Sequence, residues 1–85
     1  MKQFSYVLTS DAAQQQRHIG HLSQEASRFL SRIHLRSGEK EAEATQIRQM
    51  MNMEMKSGNR VVVTIEGKDE EAAVAAIQNY FVANM

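Results

Sequence analysis

Five β-branched residues in succession, Val61-Val62-Val63-Thr64-Ile65, framed by Arg60 and Glu66, restrict the fold of this chain more than any other segment. Branching at Cβ crowds the preceding turn of a helix but suits the pleated surface of a strand. The branched residues fall on both faces instead of alternating with polar ones, so the strand is expected in the interior of a sheet. Ser57-Gly58-Asn59 reads as the turn before it, and Gly67 ends it. With 85 residues the chain is too short for two separate cores, so a single domain spanning 1–85 is expected. It has no cysteine, which leaves no disulfide framework, thiolate nucleophile or Cys-based zinc site, and makes packing the source of stability.

The remaining elements follow from periodicity. Phe4-Ser5-Tyr6-Val7-Leu8-Thr9 alternates with Phe4, Tyr6 and Leu8 on one face, as a half-buried strand does. From Ile19 the period lengthens: Ile19, Leu22, Ala26, Phe29 and Leu30 fall at helical spacing, opposite a polar stripe of Arg17, His21, Gln24 and Arg28. Arg32 to Arg36 and Glu39 to Ala44 both alternate around Ser37-Gly38, which reads as a β-hairpin. Thr45 is expected to cap a short helix from Gln46 that carries Ile47, Met50 and Met51. Asp69 is expected to cap the last helix, with Glu70 and Glu71 in its first turn and Ala73, Ile77, Tyr80 and Phe81 as its buried stripe. The order β α β β α β α predicts an α+β domain with helices packed on one face of an antiparallel sheet.

Charge narrows the function. Ten basic and ten acidic residues sum to zero, which argues against a direct nucleic-acid binder that draws its affinity from phosphate neutralisation. No stretch is apolar enough for a membrane span, and Met1-Lys2-Gln3-Phe4-Ser5 has no hydrophobic signal core, so a cytoplasmic protein is expected. His21 and Glu25, at i and i+4, are two metal ligands without a third, so no metal and no cofactor is expected. Ile47, Met50, Met51, Met53 and Met55 crowd into nine residues. Methionine suits adaptable contact surfaces as well as irregular cores, and one short helix cannot bury all of them.

The order and lengths of the elements, together with Ser37-Gly38-Glu39-Lys40, Ile47, Met51, Lys56-Ser57-Gly58 and Gly67-Lys68-Asp69-Glu70-Glu71-Ala72, resemble the HPr-like family of the bacterial sugar phosphotransferase system, HPr and its paralogue Crh. The resemblance covers essentially the whole chain without a gap. It implies an open-faced β-sandwich, a four-stranded antiparallel sheet with three helices on one face. It also implies a docking surface on the first and short helices for enzyme I, sugar-specific IIA components and, in Gram-positive bacteria, a transcription regulator. Matching positions here are Arg17, Gly20, His21, Gln24, Ile47, Arg48, Met51 and Met53; Arg48 departs from the family's usual apolar residue.

The family's Gly-(Ile/Leu)-His-Ala-Arg-Pro-Ala motif is replaced by Ala13-Gln14-Gln15-Gln16-Arg17-His18-Ile19. Gln15 stands at the phosphorylated histidine, and an amide is neither a useful nucleophile nor a proton acceptor near neutral pH. Arg17 keeps the position whose guanidinium contacts the phosphoryl group, though it reads equally as a solvated surface charge. Gln46 stands at the family's regulatory serine; Crh shares a glutamine at the first site but keeps that serine. Two functions follow: a non-phosphorylatable regulatory or adaptor paralogue, or a phosphocarrier using His18, which replaces the motif's proline, as a relocated acceptor with Arg17. A monomer or a Crh-like strand-exchanged dimer fits either. Family geometry places Ser10 to Gln15 in a loop and starts the first helix near Gln16, whereas Ala12-Ala13-Gln14-Gln15-Gln16, with Ser10 or Asp11 as caps, has the propensity to start it near Ala12. The family start is the expectation taken here.

Overall fold

The computed structural model describes residues 1–9, 12–53 and 56–85, with the side chains of 12–15 outside that description. Among the described residues the elements are β1 (Lys2–Val7), α1 (Ala12–Ala26), β2 (Arg32–Ser37), β3 (Lys40–Glu43), α2 (Ile47–Asn52), β4 (Arg60–Glu66) and α3 (Glu70–Asn84). The sheet runs β1-β4-β2-β3 and every neighbouring pair is antiparallel. β4 is an interior strand, as its branched residues require, and no described helix is long and apolar enough to cross a membrane.

Register decides which face is dry. Phe4 pairs with Val63 and Tyr6 with Val61, while Ile33 pairs with Ile65 and Leu35 with Val63. These residues carry one face of the sheet onto the helices, where Ile19, Leu22, Ala26, Met50, Ala73, Ile77 and Phe81 complete a buried core. Phe81 sits against both aromatic residues of β1, its ring centroid 5.7 Å from Phe4 and 5.8 Å from Tyr6 in edge-to-face contacts. The opposite face stays open and polar: Arg32 meets Glu43 at 2.7 Å and His34 lies 3.4 Å from Glu41. Gly38 turns the β2–β3 hairpin with φ 62°, the left-handed conformation that glycine adopts without a Cβ penalty.

Several expectations need correction. α1 begins at Ala12, not near Gln16, so the helix-forming Ala and Gln residues prevail over the loop of the family geometry. It ends at Ala26, before Phe29 and Leu30. There the N–H groups of Arg28 and Phe29 reach back only three residues, to Glu25 and Ala26, which tightens the last turn and leaves Leu30 84% exposed. Thr45 does not cap α2. The amide of Gln46 closes a turn on the Glu43 carbonyl at 3.0 Å, which moves the cap position to Gln46, whose side chain makes no capping bond. Asp69 does occupy the N-cap position of α3, but its carboxylate caps nothing there. It accepts from the amides of Leu30 and Ser31, at 2.8 and 2.9 Å, and from the Ser31 hydroxyl. Those bonds, the Ser31 hydroxyl first, hold the carboxyl below its ordinary range. Gly67, at φ 154°, makes this approach possible, since a Cβ there would stand 2.6 Å from the Ser31 Cα.

Candidate functional site

Arg17, His21 and Gln24 lie at i, i+4 and i+7 on α1, all exposed, and Gly20 sits among them. Nothing lies within 4 Å of where a Gly20 Cβ would project, so packing does not demand glycine there, and its effect is to leave the stripe flat at that point. α2 packs beside α1. A direct bond joins them: the buried Ser23 hydroxyl donates to the Thr45 carbonyl at 3.2 Å, in the turn that feeds α2. Two further bonds set α2 on the β3 edge. The Gln49 side-chain oxygen accepts from the Glu43 amide at 3.0 Å, and Lys40 Nζ donates to the Asn52 carbonyl at the end of the helix, at 3.3 Å.

Held this way, α2 divides its apolar residues between two surroundings. Met50 is fully buried, while Ile47 and Met51, one turn apart, are 45% and 52% exposed, with Arg48 exposed between them. Met53 is only 3% exposed, so its inclusion among partner-contacting residues is corrected: its side chain fills the core at the end of α2. Met55 lies outside the described residues, as do the side chain of Gln15 and the candidate caps Ser10 and Asp11. Gln46 is exposed at the start of α2.

His18 is turned away from the exposed stripe. Its ring meets Tyr80 of α3 edge to face with centroids 6.5 Å apart, its main-chain oxygen accepts from the Tyr80 hydroxyl at 2.9 Å, and its Nδ1 is buried without a hydrogen-bond partner among the described residues. Burial, and secondarily the charge of Glu25, raise Tyr80 above the usual phenol range. Glu25 itself is engaged by Arg28 at 3.2 Å, and no group of three or more metal-binding side chains occurs among the described residues. Two hollows lined wholly by described residues lie away from the α1 stripe. One of about 340 Å³ is lined by Ser37, Glu39, Lys40, Met53, Lys56 and Asn59, and one of about 230 Å³ by Arg32, His34, Thr64 and Glu66 on the open sheet face. The described part of the α1–α2 surface is apolar at Ile47 and Met51 and cationic at Arg17 and Arg48. Such a surface suits protein contact better than enclosure of a small molecule.

Sequence reasoning did not find the pairing of Tyr80 with His18 or the tie between Ser23 and Thr45. The partners are 62 and 22 residues apart, and in the sequence Tyr80 reads only as one more member of an apolar stripe.

Residues 2–83 match the family model described as the PTS HPr component phosphorylation site. The chain is 31% identical over 78 residues to the phosphocarrier protein HPr of Mycoplasma capricolum subsp. capricolum, a match covering 92% of this chain and 88% of that protein. Its fold is similar to that of HPr from Thermoanaerobacter tengcongensis, with a TM-score of 0.91, 27% identity, and coverage of 99% of this chain and 94% of the other. It is also similar to Crh, the catabolite repression protein of Bacillus subtilis, which was seen as a domain-swapped dimer. There the TM-score is 0.74 and the identity 25%, over 94% of this chain and 87% of Crh.

Proposed function

The chain belongs to the HPr family, and from that premise we propose that it is a non-phosphorylatable regulatory or adaptor member of the phosphotransferase system, a single domain that docks partner proteins without carrying a phosphoryl group. The observation that carries this reading is a combination. Glutamine stands at both modification positions, Gln15 and Gln46, while Ile47 and Met51 remain exposed on a helix packed beside α1, which carries the exposed Arg17, His21 and Gln24. An amide side chain offers no nucleophilic nitrogen for a phosphoramidate and no hydroxyl for a phosphoester. Exposed aliphatic and thioether groups on α2, with Arg48 between them and Arg17 on the neighbouring helix, supply apolar anchors and cationic groups, the composition that concentrates binding energy in protein interfaces.

A phosphocarrier on His18 with Arg17 is the competing reading. The burial of His18 Nδ1 against α3 counts against it, because a phosphoryl group on that nitrogen would displace the packing with Tyr80. The partners that fit are enzyme I, a IIA domain or a transcription regulator, bound by the monomer or by a strand-exchanged dimer. Calorimetric titration of the unmodified protein against enzyme I and IIA domains tests the docking role. Saturable binding at one surface supports it, and no heat with any of these partners or with the regulators of the same organism removes it.

A further inference from the structure

The buried side chains that anchor α1 to the core are Ile19, Leu22, Ser23 and Ala26. Upstream of them, among the described side chains, Gln16 and Arg17 are exposed and His18 is the first that turns inward. Where it does so it meets α3, through the Tyr80 hydroxyl at 2.9 Å from its carbonyl oxygen and the edge-to-face rings 6.5 Å apart. A carbonyl oxygen has two lone pairs, so it can accept from the phenol as well as from an amide one helical turn along. We propose that Tyr80 is a positioning residue: with His18 it forms a clasp that fixes α1 upstream of Ile19 against α3 and so sets where Arg17 stands on the docking surface.

The unpartnered His18 nitrogen belongs to this arrangement. An N–H at Nδ1 would be buried facing no acceptor among the described residues, whereas a bare lone pair there costs less. The clasp therefore places the ring proton on Nε2 and leaves Nδ1 as the lone-pair nitrogen. Burial of the phenol, which raises Tyr80 above its usual range, keeps its hydroxyl a donor. On this assignment the histidine that replaces the family motif's proline is half of an inter-helix contact, with its other half near the far end of the chain.

The consequence at Arg17 rests on the docking reading, but the clasp does not, and the test separates them. Amide hydrogen exchange is measured by NMR on the full chain and on Tyr80→Phe, which keeps the ring and removes only the hydroxyl. The expected result is a loss of about fivefold in protection across Gln16 to Gly20, the factor one ordinary hydrogen bond is worth, with the amides of β4 unmoved. In the unmodified protein, nitrogen shifts should identify Nδ1 of His18 as the unprotonated nitrogen. Protection that does not change in a folded Tyr80→Phe protein, or a proton on Nδ1, overturns the clasp. Titration with enzyme I then reads its consequence: Tyr80→Phe weakens binding by a similar factor, while Ile65→Val, a comparable loss of stability on β4 that leaves the His18–Tyr80 contact in place, leaves it unchanged. Equal affinity of Tyr80→Phe and the unmodified protein for enzyme I overturns the positioning role. Failure of the unmodified protein to bind enzyme I counts against the docking reading, while the exchange data still decide the clasp.

Discussion

At the scale of single residues, the contact around Asp69 shows how one carboxylate can join two ends of a sheet and a helix. Its oxygens take the Leu30 and Ser31 amides and the Ser31 hydroxyl, so the chain entering β2 is tied to the start of α3. Because these bonds favour the charged form, the folded carboxyl titrates below its ordinary value of 3.8. A depressed carboxyl contributes stability that is present above that ordinary value and lost as pH falls through the folded one. Asp69→Asn should therefore lower the urea midpoint at pH 7, and its gap to the unmodified protein should narrow as pH falls below about 4, where the carboxyl of the unfolded chain takes up its proton before the folded one does. A gap independent of pH would refute this role. Gly67 has no such latitude, being at positive φ with its missing Cβ directed at Ser31. Gly67→Ala should cost more than about 1 kcal/mol in urea denaturation, by strain and by pushing Ser31 off Asp69. Asp69 was legible in the sequence as a residue at a helix start, which it is; that its oxygens serve a segment 38 residues earlier was not, because no local pattern encodes it.

At the scale of elements, what the sequence made legible was the faces, and what it left open was the ends. Alternation in β1, the unbroken branched run of β4 and the 3.6-residue period of α1 and α3 reflect burial, which the whole element shares, and the structure follows them. Ends depend on one or two hydrogen bonds that compete closely. Thus α1 starts at Ala12 by propensity, and α2 starts one residue late because Gln46 is committed to the turn on Glu43. The methionines needed the structure as well, since spacing within six residues of helix cannot rank which of several neighbours points in. Their division is open to measurement. Met50→Ala should cost about 2–5 kcal/mol of stability, as removal of a fully buried side chain does. Met51→Asp should change stability by no more than about 0.5 kcal/mol, yet weaken binding to enzyme I or a IIA domain at least about tenfold. Equal effects of Met51→Asp on stability and on binding would mean that the exposed half of α2 is not a docking surface.

At the scale of the whole molecule, the chain keeps an HPr architecture, and the adaptor reading proposed above rests on Gln15 and Gln46 standing at the family's two modification positions. Fold and family were legible because the interior strand, the element order and the turn residues agree with one another along the chain. For the site, the resemblance offers positions only: Gln15 and Arg17 on the family motif, Gln46 at its regulatory serine, and Ile47 and Met51 on its docking patch; the structure adds that Ile47 and Met51 are half exposed. The turn of His18 toward Tyr80 depends on a helix-to-helix contact that only the folded chain creates. Incubation with phosphoenolpyruvate and enzyme I, followed by intact mass measurement under conditions that preserve phosphohistidine, asks directly whether the family's chemistry has been lost. The protein should stay at its unmodified mass while an ordinary HPr in the same mixture gains one acid-labile phosphoryl group. An acid-labile phosphoryl group on this chain, abolished by His18→Ala, would contradict the adaptor reading and make it a phosphocarrier with a relocated acceptor.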